Sequence, residues 1–327
     1  MAAIPQVLSQ SPKDDFDDIL SGLLATIRLS GSVQFCVLPA GDWQAEASPA
    51  FIEMAGPGAM PFHIVAEGRC WVERDGETTV LEPGDIILFP RAVIHKLGAG
   101  RGGERLDILS DLPARPWREV PVLRYGEGHH DARILCGFFQ CDDLAFGPLA
   151  HALPRLIHVR TGDGQSWLSG VIRQMVEEIK RPRAGGISVL PRLTEVAFIE
   201  ILRDQIALSS PQSGGWLAAM NDPRLARCLA LIHSDPSRDW SVADLAAQSG
   251  MSRSAMMERF QSVLSTSPIR YIRDWRLYLA SLDLARTPKP ITEIAQDAGY
   301  ATEAAFTRAF ARAFGDPPAA WRSRARQ

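Results

Sequence analysis

At 327 residues with 46% hydrophobic side chains, the chain is long enough for two globular domains and a connector. No stretch approaches the roughly 18 apolar residues of a membrane span, and the N-terminus lacks the basic and apolar runs of a signal segment, so a cytoplasmic protein is expected. The net charge of −3 is unevenly spread: residues 222–327 hold 15 Lys and Arg against 11 Asp and Glu, and the remainder holds 20 against 27. A modestly basic C-terminal part on an acidic body fits a chain whose phosphate contacts come from one end. Five scattered cysteines, an odd number, predict reduced thiols.

Residues 1–30 read as a tail and one helix. Ser11-Pro12 would cap it, Phe16, Ile19, Leu20, Leu23, Leu24 and Ile27 form its apolar stripe, and Asp14, Asp15, Asp17 and Asp18 a solvated acidic run. From 31 to 153 the texture changes to short strands. Phe62–Glu73, Thr78–Leu81, Ile86–Phe89 and Arg105–Leu109 lie between the turns Asp75-Gly76 and Pro83-Gly84-Asp85, which favours a small barrel or double sheet. His129-His130 with Cys136 and Cys141 could form a zinc or redox site. However, Cys136 sits in the apolar run Arg133–Phe139, so a buried structural thiol is the expectation. Cys36, Cys70 and Cys228 also lie in apolar surroundings.

Residues 154–209 carry two helical stripes, Trp167 to Ile179 and Leu190 to Leu202, separated by the breaker Arg181-Pro182-Arg183-Ala184-Gly185-Gly186. They predict an antiparallel hairpin that packs on the strand domain or pairs two subunits. Residues 210–221, opening Ser210-Pro211-Gln212-Ser213-Gly214-Gly215, read as an interdomain linker.

The remaining residues, 222–327, contain one pattern written twice. Val242, Leu245, Ala246, Gly250, Met256 and Phe260 are matched by Ile291, Ile294, Ala295, Gly299, Phe306 and Phe310, with one residue inserted after the glycine. In each copy a short capped helix stops at the glycine, and a second helix begins at Ser252 or Thr302. Its buried stripe is Met256, Phe260 and Leu264 in the first copy and Phe306, Phe310 and Phe314 in the second. Each copy, about 241–264 and 291–314, is thus a helix-turn-helix. Between them Pro268–Arg286 reads as one helix of roughly 28 Å, with Ile269, Ile272, Trp275, Leu279 and Leu282 on its buried side. That length approaches the roughly 34 Å between successive major-groove faces on one side of B-DNA.

The residues Ser267-Pro268-Ile269-Arg270-Tyr271-Ile272, Trp275-Arg276, Gly299-Tyr300, Ala305-Phe306, Phe310, Gly315, Pro318 and Trp321-Arg322 resemble the DNA-binding domain of AraC/XylS-type transcriptional regulators. The resemblance implies a seven-helix domain whose second helix in each unit enters the major groove. Upstream, Gly84-Asp85-Ile86-Ile87-Leu88-Phe89-Pro90 followed by His95 resembles the second motif of the cupin fold, and His63 sits where the first motif carries histidines. Metal-binding cupins carry two histidines and a glutamate in that first motif. Here Phe62-His63-Ile64-Val65-Ala66-Glu67 offers one histidine, and Ala92 stands where glycine is common. His63 and His95 are therefore candidates to line a ligand pocket, and to hold a metal only if a third ligand joins them.

The expected fold class is α+β: a cupin-like β-barrel with a helical hairpin, then an all-α domain of two helix-turn-helix units. The expected function is a sequence-specific, DNA-binding transcription regulator that senses a small-molecule or redox signal through the cupin-like domain. Its expected partners are double-stranded promoter DNA, an effector and a second copy of itself. A metal-dependent cupin enzyme tethered to a DNA-binding domain is the alternative. With Met256 and Phe260 in the core, the first reading helix turns Arg253, Ser254, Met257 and Glu258 outward, with Arg259 toward phosphate. The second turns Glu303, Ala304, Thr307 and Arg308 outward, and Arg312 joins the phosphate contacts with Arg322, Arg324 and Arg326. Arg276 is as apt to serve as a structural ion-pair partner.

Overall fold

The structure is a computed structural model that describes residues 19–26, 29–56, 58–101, 103–141, 153–162, 166–210 and 214–325. Expectations for the Ser11-Pro12 cap, the acidic run, Phe16, Ile27, Arg326 and the centre of the linker lie outside these residues, as does the Cys141 side chain. The chain divides into two compact units, Ile27–Leu208 and Ser209–Gln327, the latter joined by Met1–Thr26.

In the N-terminal unit the expected barrel is instead two open sheets. One has the order β11-β6-β3-β10-β1-β9, the other β5-β4-β7-β2-β8. The first contains β1 (Leu29–Pro39), β3 (Ala59–Glu67), β6 (Ile86–Leu88), β9 (Val122–Tyr125), β10 (Arg133–Cys141) and β11 (Ile157–Val159). The second contains β2 (Trp43–Ala47), β4 (Cys70–Arg74), β5 (Glu77–Leu81), β7 (His95–Ala99) and β8 (Glu104–Leu106). The stretch Phe62–Glu73, expected as one strand, breaks at Gly68 and changes sheets. Gly68 has φ +72°, and a Cβ there would lie 1.9 Å from the Asp131 carbonyl, so only glycine makes the corner. Residues of both sheets, including Phe35, Val37, Trp43, Val65, Val72, Leu97 and Ile134, share one core. At the far end of Arg105–Leu109 the chain is helical, α3 being Ile108–Asp111; α2 is Pro49–Ala55.

The hairpin is present as α4 (Trp167–Lys180) and α5 (Gly186–Leu208), although β11 occupies part of the stretch assigned to it. Ser166 caps α4. Buried Leu168, Ile172 and Met175 recur on one face of α4, which packs on β3, while α5 packs on β1. Close approach of α5 needs Gly31, since a Cβ there would sit 2.5 Å from Thr194 Cγ2.

The C-terminal unit is helical: α6 (Gly215–Met220), α7 (Pro223–Ser234), α8 (Val242–Gln248), α9 (Arg253–Leu264), α10 (Pro268–Arg286), α11 (Ile291–Asp297), α12 (Glu303–Phe314) and α13 (Pro318–Ala325). Two expectations change here. The N-terminal helix, α1 (Ile19–Thr26), belongs to this unit and packs on α7, burying Ile19 and Leu20. Much of the supposed linker is α6, whose Trp216, Leu217, Ala218 and Ala219 are buried.

The duplicated pattern folds as two like helix pairs, α8–α9 and α11–α12, with the same cap at each turn. Gly250 N–H donates to Ala247 O and Met251 N–H to Ala246 O; Gly299 N–H donates to Gln296 O and Tyr300 N–H to Ala295 O. Both are Schellman motifs, with glycines at φ +66° and +82°. Ser241 and Asp244 form the expected capping box, and Ser252 and Thr302 cap the second helices. The core of α9 uses Val263 where Leu264 was expected, Leu264 being half-buried. The single stripe expected on α10 is also revised: Ile269 is 50% exposed and Leu279 half-buried. This helix serves two cores. Its first half stacks Trp275 on His233 of α7, and its second half sends Leu277, Ala280 and Leu284 to meet Ile294, Phe306 and Phe310.

Candidate nucleic-acid interface and effector cavity

The outward faces of α9 and α12 follow from what their inward faces bury. Met256, Phe260, Phe306 and Phe310 are each 0% exposed. Opposite them Arg253, Ser254, Met257 and Glu258 on α9, and Glu303, Ala304 and Arg308 on α12, are exposed, with Thr307 half-buried beside them. Arg312, one turn further along α12, is exposed as well.

Other basic residues serve the fold. Arg259 pairs through Nε with Asp222, a carboxylate buried to 1% that also caps α7 by accepting from the Arg224 and Leu225 amides. The ion pair neutralises that buried charge, so Arg259 is an anchor between α9 and α7 as well as a partly exposed cation. Arg276 donates to the backbone carbonyls of Pro236 (2.6 Å) and Arg238 (2.7 Å) rather than pairing with an acid. Arg322 reaches Leu284 O at 3.4 Å and Lys289 O at 2.5 Å, and Arg324 pairs with Asp316 while lying over the Trp321 ring. The signal missed in the sequence is separation: Asp222 stands 37 residues from Arg259.

In the N-terminal unit a cavity of about 310 Å³ opens among Phe35, Val37, Trp43, Phe51, Leu97 and Ile134, with His63 and Cys136 in its wall and Glu46, Arg105 and Asp107 supplying charge. The Trp43 indole N–H, buried beside it, has no hydrogen-bond partner. His63 on β3 and His95 on β7 do meet, Nε2 to Nε2 at 2.7 Å. Cys136 joins them because β10 pairs with β3 in a register that sets it directly opposite His63, and its Sγ lies 3.1 Å from His63 Nδ1.

The proton positions in this chain are determined by its far end. Val93 O lies 2.8 Å from His95 Nδ1 and only accepts, so that nitrogen carries the proton. Burial lowers the pKa of His95 to about 4 and that of His63 well below the ordinary range, so both rings are neutral near pH 7. His95 Nε2 is then an acceptor, His63 Nε2–H donates to it, and His63 Nδ1 accepts from the Cys136 thiol. Burial also pushes that thiol well above its usual pKa, which keeps it protonated.

This arrangement does not suit a metal held by His63 and His95. No third ligand completes the pair among the described residues, and Cys136 lies on the other edge of the His63 ring. Among the described residues no group of three or more His, Cys, Asp or Glu is placed to hold a metal ion. Cys136 is the buried thiol expected from its apolar run, set against His63, whereas His129 is exposed. A part-buried pair not singled out in the sequence, His158 Nε2 and Asp85 Oδ2 at 2.8 Å, ties β11 to the turn before β6.

Residues 18–207 match the family model described as Cupin, and residues 245–324 match one described as Helix-turn-helix domain. The HTH-type transcriptional regulator AlkR of Acinetobacter baylyi is 32% identical over 93% of this chain and 99% of its own length. A putative AraC-like transcription regulator of Streptomyces lividans is 30% identical over 94% and 98%. The HTH-type transcriptional regulator MtrA of Neisseria gonorrhoeae is 29% identical over 93% and 98%. Similarity that runs through both units, over nearly the whole of each relative, extends beyond the helix pairs alone: the chain belongs to the AraC/XylS family of DNA-binding transcription regulators, with a cupin-type domain preceding its DNA-binding domain.

Proposed function

We propose that the protein reads promoter DNA with α9 and α12 as paired recognition helices, and that a small effector in the cavity beside His63 adjusts that reading. The observation carrying the first part is the repeated helix pair, with the same hydrogen-bonded glycine turn in each copy and a polar face left open on each second helix. Arg253 would pair with guanine, Glu258 would accept from cytosine N4, Met257 would meet a thymine methyl, and Ser254 and Thr307 would serve either kind of base edge. Arg308 would read a base in the second groove beside Glu303 and Ala304, while Arg312 and the exposed part of Arg259 would hold phosphate. Two helix-turn-helix units joined by α10, roughly 28 Å long, would reach consecutive grooves on one side of the duplex.

The effector inferred for the cavity is a small, largely apolar molecule with one acceptor, which the orphan indole N–H of Trp43 would satisfy. A homodimer in the cytoplasm is the assembly we infer. The apolar Trp167 at the start of α4 and Leu208 at the end of α5, 60% and 78% exposed, favour the hairpin as the contact. Quantitative gel-shift on a selected operator tests the DNA contacts. Arg253→Ala and Arg308→Ala should each weaken specific binding by about 1–3 kcal/mol. Undiminished affinity and sequence preference in both variants would defeat the assignment.

A further inference from the structure

A second cavity, of about 470 Å³, lies in the N-terminal unit between β1, residues 117–120 and the turn joining α4 to α5. Its volume falls within the roughly 300–1,000 Å³ typical of small-molecule sites. Much of its wall is apolar, from Trp117, Ile179, Ile187 and Leu190. The Trp117 indole is fixed in place: its N–H donates to Pro113 O at 2.8 Å, and the Arg115 guanidinium covers one ring face at 4.7 Å.

Four charged residues line it, Arg118, Glu119, Glu178 and Arg183, and of these only Glu178 is buried. Glu178 on α4 is 3% exposed. Its Oε1 accepts from Gln174 Nε2 at 3.2 Å and pairs with Arg183, whose own side chain is 66% exposed. Its Oε2 is buried with no hydrogen-bond partner, and a Cβ on Gly186, another lining residue, would come within 3.0 Å of it. Nearby amides do not supply the missing donor, because the Gly186, Ser188 and Val189 N–H groups are bonded to Arg183 O and Gly185 O. A buried carboxylate oxygen without a donor is costly, and Glu178 is among the residues lining a space large enough to admit one.

We propose that this cavity is a ligand site distinct from the one beside His63, for a small molecule bearing a protonated amine or amidine on an apolar, ring-sized body. The cation donates N–H to Glu178 Oε2, and the body lies against Trp117, Ile179 and Leu190. Occupancy would tie the α4–α5 turn to β1. An anion of the same shape would set its charge against the buried carboxylate, the lining cations Arg118 and Arg183 both being exposed to solvent.

Isothermal titration of the full chain with benzamidine, benzylamine and benzoate tests this. The two cations should bind saturably at one per chain, and benzoate should not. Glu178→Gln, which keeps the shape and removes the charge, should weaken cation binding about tenfold or more. Ala184→Phe, at an exposed lining position on the turn, should weaken it comparably by filling the space, which keeps the test intact if the Glu178 variant fails to fold. Absence of saturable binding by either cation at millimolar concentration, equal binding of benzoate, or affinity unchanged in the folded variants would each overturn the proposal.

Discussion

Each unit of this protein buries histidine, and the two do so in different ways. In the C-terminal unit His233 stacks on Trp275 at 4.1 Å, with its Nε2 2.9 Å from the Tyr271 hydroxyl, which in turn accepts from the Trp216 indole at 3.1 Å. The Trp216, Tyr271 and Trp275 rings lie nearly parallel to the His233 ring. In the N-terminal unit His63 stands between His95 and Cys136 in the wall of a cavity. The same residue type, with its pKa driven down by burial in both places, fills space in one unit and faces space in the other. A depressed histidine pKa therefore marks burial, and only the adjoining cavity separates a candidate binding wall from a structural core.

The sharpest way to break this comparison is to puncture the closed side. Phe306→Ala removes a ring shared between α12 and α10 and should cost about 3–5 kcal/mol, seen as loss of the C-terminal unit's unfolding transition in urea while the N-terminal transition stays in place. Acid should then distinguish the units by slope. Histidines neutral in the fold and titrating near 6.5 when unfolded make the unfolded chain bind more protons. Stability is thus intact above about pH 6.5 and falls toward the folded values of about 4 for His95 and about 3 for His233. Each contributes about 1.4 kcal/mol per pH unit in that window. With His63 and His95 both depressed, the N-terminal unit should lose stability about twice as steeply between pH 6 and 5 as the C-terminal unit, by urea unfolding at fixed ionic strength. Equal slopes would break the comparison.

Smaller effects sharpen the likeness between the two helix pairs. Gly250→Ala and Gly299→Ala both force a side chain into the left-handed region and should cost about 1–2 kcal/mol in thermal or urea unfolding. The second should cost more, because its Cβ would sit 2.6 Å from Arg276 Nη1 whereas nothing lies within 4 Å at Gly250. At the far end of α9 the repeat is imperfect: Ser265, at φ +53°, occupies the place that Gly315 takes after α12. Ser265→Gly should stabilise the unit by about 0.5–1 kcal/mol, the smallest of these effects and the only gain.

What could be read from the sequence tracks the range of the interactions involved. The caps at Ser241, Ser252 and Thr302 and the turns at Gly250 and Gly299 depend on residues a few positions apart, and their side chains state their roles locally. The meeting of Cys136 with His63 depends on strand register across 73 residues, which no local pattern encodes. The double sheet and the barrel present the same alternation in short strands, so closure was not legible. Ile269 departs from the expected stripe because α10 is buried by two different partners along its length, and a single stripe describes only a helix with one. Arg259 reads as a phosphate contact in the sequence, where its ion-pair partner Asp222, 37 residues away, leaves no local signal.

The central claim is that the two like helix pairs act as two reading heads. Measuring the affinity of wild type, Arg253→Ala and Arg308→Ala for an operator library with each base pair substituted in turn tests it most directly. Each variant should lose discrimination at its own base pair, the two positions separated by about one helical turn, 10–10.5 base pairs. Loss at a common position, or an unaltered specificity profile in either variant, would contradict it.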